Sequence, residues 1–331
     1  MTFAPMFRYY LLLGTLLVLL ASCEKKEKPI TLPAKGDGQV MQVDMGETYE
    51  FQYFISLEQQ KIVHISRPDT WDLAFQSGVD QHSVFLNGGK GMAAYNTGKT
   101  NFEDVSFPDT LQAKSQWTYD SPTGKEDSSS IGDWKAKNMV YLIKVNETGS
   151  KLRKLKITYE DPFQYIISVG DISSSVPGSI TIVKNQSCNF TYFSFDLLTT
   201  INNVEPAKDQ WDIQITRYNY TFFDQHPALH YIVNGVLLNP SNTFAYKDSV
   251  TDYNTINTSF ATAATLSQNR DAIGFDWKFY DIAGSGLFSI IKKYNYIVKN
   301  HNDHYFKLRF LDYYSPTGVK GSPKFEFFQL Q

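Results

Sequence analysis

Histidine is the side chain best suited to hold a metal or move a proton near neutral pH. This chain of 331 residues carries six: His64, His82, His226, His230, His301 and His304. His226 and His230 have the four-residue spacing that sets two imidazoles on one helical face, but Pro227 stands between them and proline breaks a helix interior. His301 and His304 straddle Asn302-Asp303, a turn-forming pair, so both are expected in water as surface groups rather than ligands. Asp72 and Asp212 each follow a tryptophan. In an extended strand neighbouring side chains face opposite ways, which suits these carboxylates to an edge, a turn or a salt bridge rather than to paired acid–base work. The chain has no Gly-x-Ser-x-Gly and no His-Glu-x-x-His. Gly88-Gly89-Lys90-Gly91 reads as a turn, since no Ser or Thr and no helix follow it as in a phosphate-binding loop. The expectation is a protein that is not an enzyme and binds without transforming.

The two cysteines are Cys23 and Cys188. Cys188 precedes an apolar alternating segment and reads as a small buried hydrophobe. Cys23 ends the run Leu20-Ala21-Ser22-Cys23, after Arg8 and the apolar stretch Leu11–Leu20. That stretch is short for a bilayer span and has the layout of a secretory signal, with residues 1–22 removed. Small residues leading directly to cysteine resemble the lipobox of bacterial lipoproteins, which implies lipidation at Cys23. Several acyl chains, at about 0.8 kcal/mol per buried methylene, anchor a body durably. Residues 23–38, with the mixed charges of Glu24–Lys28, two prolines and Gly36-Asp37-Gly38, read as a tether. Lipid on Cys23 leaves Cys188 without a disulfide partner, so stability must come from packing, for which an aromatic content of 15% is ample. Net charge is −3 with scattered basic residues, which argues against a nucleic-acid surface.

The elements that must position these residues come in duplicate. Trp71-Asp72-Leu73-Ala74-Phe75 is echoed by Trp211-Asp212-Ile213-Gln214-Ile215, each with an aromatic alternating segment upstream, at Tyr53–Leu57 and at Tyr192–Phe195. Downstream, Gly132-Asp133-Trp134-Lys135 is answered by Gly274-Phe275-Asp276-Trp277-Lys278. Each half closes with a hairpin pattern, Tyr141–Val145 with Leu152–Tyr159 and Tyr294–Val298 with Tyr305–Tyr313. Four landmarks in one order argue for a tandem duplication. Strict alternation in Lys154–Tyr159 and Tyr305–Phe310 predicts half-buried strands. The predicted class is all-β: two tandem antiparallel β-sheet modules, at residues 39–172 and 186–331, meeting around Ser173–Asn185. Thr265–Asp271 is the one short helix candidate.

Four segments also resemble a known family. Trp71–Phe75, then Phe85-Leu86-Asn87-Gly88-Gly89 and Asn96-Thr97-Gly98-Lys99-Thr100, are similar to the opening half of HmuY-like proteins, and Gly321–Phe327 to their C-terminal strands. The resemblance implies an all-β surface lipoprotein of a Gram-negative outer membrane that captures haem for iron acquisition. It implies haem as the cofactor, held by axial His or Met side chains, and partners that include a haem-carrying protein and an outer-membrane transporter. One family ligand falls a few residues after the second tryptophan landmark, where this chain has Met139, a soft thioether able to meet haem iron. The preceding loop, Gln112–Ser130, holds neither His nor Met, and Ile282 occupies the matching spacing in the second half. The competing reading is a surface binding or adhesive protein for a non-haem ligand (a glycan, a peptide or an outer-membrane partner), for which Trp117 and Tyr119 would be exposed contact residues.

Overall fold

The computed structural model describes residues 38–330, which form one compact unit. The signal segment 1–22, Cys23 and the tether up to Asp37 lie outside the described residues. Among the described residues, no helix is long and apolar enough to cross a membrane.

The first half of the chain supplies β1 (Gln39–Gln42), β2 (Gln52–Ser56), β3 (Lys61–Ser66), β4 (Leu73–Gln76), β5 (Val84–Leu86) and β6 (Ala93–Asn96). After the short helices α1 (Phe107–Ala113) and α2 (Trp134–Lys137) come β7 (Tyr141–Lys144), β8 (Leu152–Glu160), β9 (Gln164–Gly170) and β10 (Gly178–Val183). The second half supplies β11 (Phe190–Ser194), β12 (Thr199–Ile201), β13 (Ile213–Phe222), β14 (Leu229–Leu238) and β15 (Phe244–Asp248). There follow α3 (Thr258–Ala263), β16 (Lys278–Tyr280), β17 (Phe288–Ile290), β18 (Asn295–Lys299), β19 (Tyr305–Tyr314) and β20 (Lys320–Leu330). The described strands pair antiparallel, and the fold is all-β as the alternation predicts. Both closing hairpins form where expected, β7 on β8 and β18 on β19. In β19 Phe306, Leu308 and Phe310 are buried at every second position, and Tyr313 is buried after the register shift that follows Phe310.

The two halves are not separate bodies in series. One sheet runs β12-β11-β4-β5 and another β14-β13-β2-β3, so the aromatic strand of each half, β2 or β11, sits beside the Trp-Asp strand of the other. Thr191 faces Phe75 across β11 and β4, and Phe54 faces Gln214 across β2 and β13. Two cores result. One packs Val43, Tyr53, Ile55 and Leu57 against Trp277, Phe310 and Phe325, with Trp277 stacked on Phe310 at 3.9 Å between ring centres. The other packs Leu73, Phe75, Trp134 and Tyr165 against Phe193 and Phe195. The ranges 39–172 and 186–331 therefore do not delimit self-contained modules. The physical reason is that each half's aromatic opening strand buries its apolar face only against the partner half.

Two smaller expectations are also corrected. Residues 173–185 are not a bare junction, because β10 pairs along β9 and Ile182 is fully buried. Thr265–Asp271 is not helical: Ser267 bridges to Ala245 and the Arg270 N–H donates to the Thr123 carbonyl. Its backbone groups are taken by neighbouring segments, and the helix forms earlier, at α3, behind an Asn257 side chain that accepts the Phe260 N–H.

Candidate functional site

Each Trp-Asp strand is tied to the aromatic strand of the other half by a matched clamp. The Asp72 N–H donates to the Phe193 carbonyl at 2.7 Å, and its Oδ2 accepts the Phe195 N–H at 2.7 Å. The Asp212 N–H donates to the Ile55 carbonyl at 2.9 Å, and its Oδ2 accepts the Leu57 N–H at 2.7 Å. Asn87 and Asn239 complete the match: each donates its side-chain amide to the carbonyl of the tryptophan in its own half, Trp71 or Trp211. Both carboxylates are 1% exposed and spent on structure. Asp72 also meets Lys90 Nζ at 2.5 Å, the salt-bridge role expected for it, while Asp212 Oδ1 lies 3.8 Å from His301 Nδ1.

Between the two exchanged sheets lies a cavity of about 90 Å³. Its walls are aromatic, with Trp71, Phe85, Phe190 and Tyr192 from one sheet and Tyr218 from the other. The Asn87–Gly91 turn forms a rim by pressing on β13. A Cβ at Gly88 would lie 2.8 Å from the Asn219 nitrogen, and one at Gly89 would lie 2.8 Å from the Arg217 carbonyl oxygen. Glycine is therefore required at both positions by close backbone approach. At the far wall Arg270 donates Nε to the Leu238 carbonyl and Nη2 to Gln214 Oε1, both at 3.3 Å. Gln214 in turn donates to Gln52 Oε1 at 3.0 Å, so a polar chain crosses from one half to the other.

Two buried carboxyls border this region. Burial pushes Asp120 up to about 6, although it accepts the Leu86 and Ser130 N–H groups. Burial pushes Glu205 up to about 7, against the opposing pull of the Phe190 N–H and of Arg270. A raised folded pKa means that the native state holds its proton more tightly than the unfolded chain does. The contribution of Glu205 is thus intact below pH 4.5 and is lost as pH climbs through about 7. Glu205→Gln keeps an acceptor for Phe190 and removes this titration. Urea unfolding at pH 5 and pH 8 is expected to show the variant gaining about 3 kcal/mol relative to the wild type at the higher pH. An equal difference at both pH values would contradict it.

Met139 stands between the left-handed Asn138, which caps α2, and the buried Val140. It is half-buried and absent from the apolar core clusters of the described residues, so it does not act as core filler. The ring of Trp134, five residues earlier, donates Nε1 to the His82 carbonyl at 2.8 Å. The imidazole of His82 faces Glu126 at 3.5 Å. Ile282 is 86% exposed in the β16–β17 connection and has no ligand chemistry. Trp117 and Tyr119 are not free contact residues. Trp117 packs on a core cluster, and Tyr119 stacks on His230 at 3.9 Å between ring centres and accepts from Lys144 Nζ at 2.7 Å. His230 is bound to Thr221 Oγ1 at 2.9 Å within the β13–β14 hairpin, while His226 is exposed in the turn. His304 faces Glu58 in solvent, but His301 is turned inward toward Asp212, contrary to the expected surface pair. Cys188 is half-buried in the turn before β11. Among the described residues, no group of three or more His, Cys, Asp or Glu side chains could hold a metal ion. The cavity itself escaped sequence reasoning because its lining is gathered from strands far apart in the chain; the Asn87-Gly88-Gly89 turn was its only local trace.

No curated protein matches the chain. Among solved structures, apo PinO from Porphyromonas gingivitis is 9% identical, covering 90% of this chain and 99% of its own, with a TM-score of 0.26. The apo HmuY analogue TFO of Tannerella forsythia is 11% identical, covering 89% of this chain and 96% of its own, with a TM-score of 0.25. The family model described as HmuY protein matches residues 48–175 and 239–327. These two segments contain the Trp71–Phe75 strand and the Asn87-Gly88-Gly89 turn on one side and the β18–β20 meander on the other, which is most of the folded body; this chain belongs to the HmuY family.

Proposed function

We propose that this protein is a lipid-anchored receptor of a Gram-negative outer membrane that binds haem. The observation that carries the reading is the family match, which runs through both exchanged halves. The Leu-Ala-Ser-Cys sequence at Leu20–Cys23 supports the anchor, with the acyl chains on Cys23 and the folded body facing the cell exterior. In such a place the receptor would take haem from a haem-carrying protein and pass it to an outer-membrane transporter.

Haem, when bound, would bring an iron that protein side chains can ligate. Met139 would be one ligand: its thioether is a soft donor, held half-exposed at a helix end rather than enclosed in a core. The Gln112–Ser130 loop provides no imidazole or thioether for a second. His82, brought to the Trp134 ring by the fold, is the imidazole to test for it.

Adding hemin to the chain beginning at Glu24 and following the Soret band checks the reading. A saturable shift is expected, altered in position by Met139→Leu and unaltered by the same change at the exposed Ile282. No saturable shift in either redox state of the iron would overturn it.

A further inference from the structure

The cavity between the exchanged sheets carries hydrogen-bonding capacity that its own walls do not use. Trp71 Nε1, Arg217 Nε and Asn219 Nδ2 are buried with no hydrogen-bond partner among the described residues, and all three residues line the cavity. So does Tyr218, whose hydroxyl is in the same condition. A buried polar group left unpaired is destabilising, so four on one small cavity is a cost the fold would not carry without a return. The three nitrogens are all donors, and one belongs to a guanidinium, the group whose planar fork matches a carboxylate. The acceptors nearby are already engaged. Gln52 Oε1 accepts from Gln214 and Thr216, Asp120 accepts two backbone N–H groups, and Gln214 Oε1 accepts from Arg270. The excess of donors over free acceptors selects an anionic acceptor as the occupant. Around the donors the walls are rings, among them Trp71, Phe85 and Phe190, which select an apolar body for the same molecule. The enclosed space of about 90 Å³ suits a small molecule.

We infer that this cavity is a binding site for a small carboxylic acid with an apolar, ring-sized body, its carboxylate received by Arg217, Trp71 and Asn219. The site is separate from Met139, which is not part of the lining, and the inference does not rest on haem binding. Its position gives it a second property. Trp71 and Arg217 come from opposite halves of the duplicated chain, so an occupant bridges the β4 and β13 sheets and stabilises the exchanged arrangement by mass action.

Titration of the full chain in detergent with benzoate, followed by calorimetry and by the melting temperature, tests this. Saturable one-to-one binding and a rise in melting temperature are expected. Trp71→Phe keeps the ring and removes one donor, and Arg217→Met removes the guanidinium; each is expected to weaken binding by about tenfold or more. Met139→Leu should leave benzoate affinity unchanged, which keeps a failure here distinct from a failure of the haem reading. If Arg217→Met does not fold, Trp71→Phe carries the comparison alone. No saturable binding of benzoate up to about 10 mM, affinity undiminished in Trp71→Phe, or inorganic phosphate binding more tightly than benzoate would each overturn the inference.

Discussion

Cutting the chain between Asn185 and Gln186 is expected to yield two fragments that stay unfolded apart and fold when mixed. The cut falls between β10 and β11, so each fragment retains all of one half of the duplication. The fragment 186–331 loses β1, β2 and β3, and with them Val43, Met45, Tyr53, Ile55 and Leu57 from the core around Trp277. Five such buried side chains at about 1.5–3 kcal/mol each amount to roughly 10 kcal/mol, the whole stability of an ordinary domain. The loss also bares one edge of β13. The fragment 38–185 keeps β4 but loses β11 from its edge, along with Phe193 and Phe195 from the core around Phe75 and Tyr165. Asp72 and Asp212 each lose the N–H groups they accept from the other half. Circular dichroism of each fragment should therefore lack the β signal and the cooperative melt of the intact chain, and an equimolar mixture should regain both. A cooperative melt from either fragment alone would show that the halves are independent modules, and the exchange of strands would lose its energetic meaning.

Much of this architecture was legible in the residues, and the part that was not has a definite cause. The Trp-Asp repeats, the two closing hairpins and the all-β class follow from local alternation and turn chemistry, which depend on neighbours a few positions away. Partner choice between strands does not. Tyr53–Leu57 and Tyr192–Phe195 are so alike that either could complete either sheet, and the pattern is silent on whether each pairs within its own half or across. The local reading prefers the near partner, since closing a short loop costs less entropy. The structure takes the far one, through paired backbone clamps that cross the halves. The same limit hid the cavity, whose donors Trp71 and Arg217 are brought together only by the exchange. It also misjudged His301, which lies in a turn as expected, yet that turn folds against Asp212.

Replacing Asp72 by alanine is expected to cost about 4 kcal/mol, the most of any single substitution in the two clamps. The side chain meets two groups that have nowhere else to go. The Phe195 N–H is buried, and Lys90 Nζ, on a side chain 19% exposed, makes its ion pair among the described residues with Asp72. Removing the acceptor leaves an orphaned N–H, at roughly 1–3 kcal/mol, and an ammonium held near the interior without its counter-charge. Asp72→Asn separates these terms, because its amide oxygen still accepts from Phe195 while the charge is gone. It should therefore fall between alanine and the wild type. Lys90→Met in the Asp72→Ala background removes the stranded ammonium and should return part of the loss, an interaction energy measurable by a double-mutant cycle in urea. Asp212→Ala is the internal control. It breaks the matching bond to Leu57, but its second neighbour is His301 at 3.8 Å rather than a lysine at contact distance, so it should cost about 2 kcal/mol less. Equal costs at Asp72 and Asp212, with no recovery from Lys90→Met, would mean that the ion pair adds nothing and that the two clamps work through their backbone bonds alone.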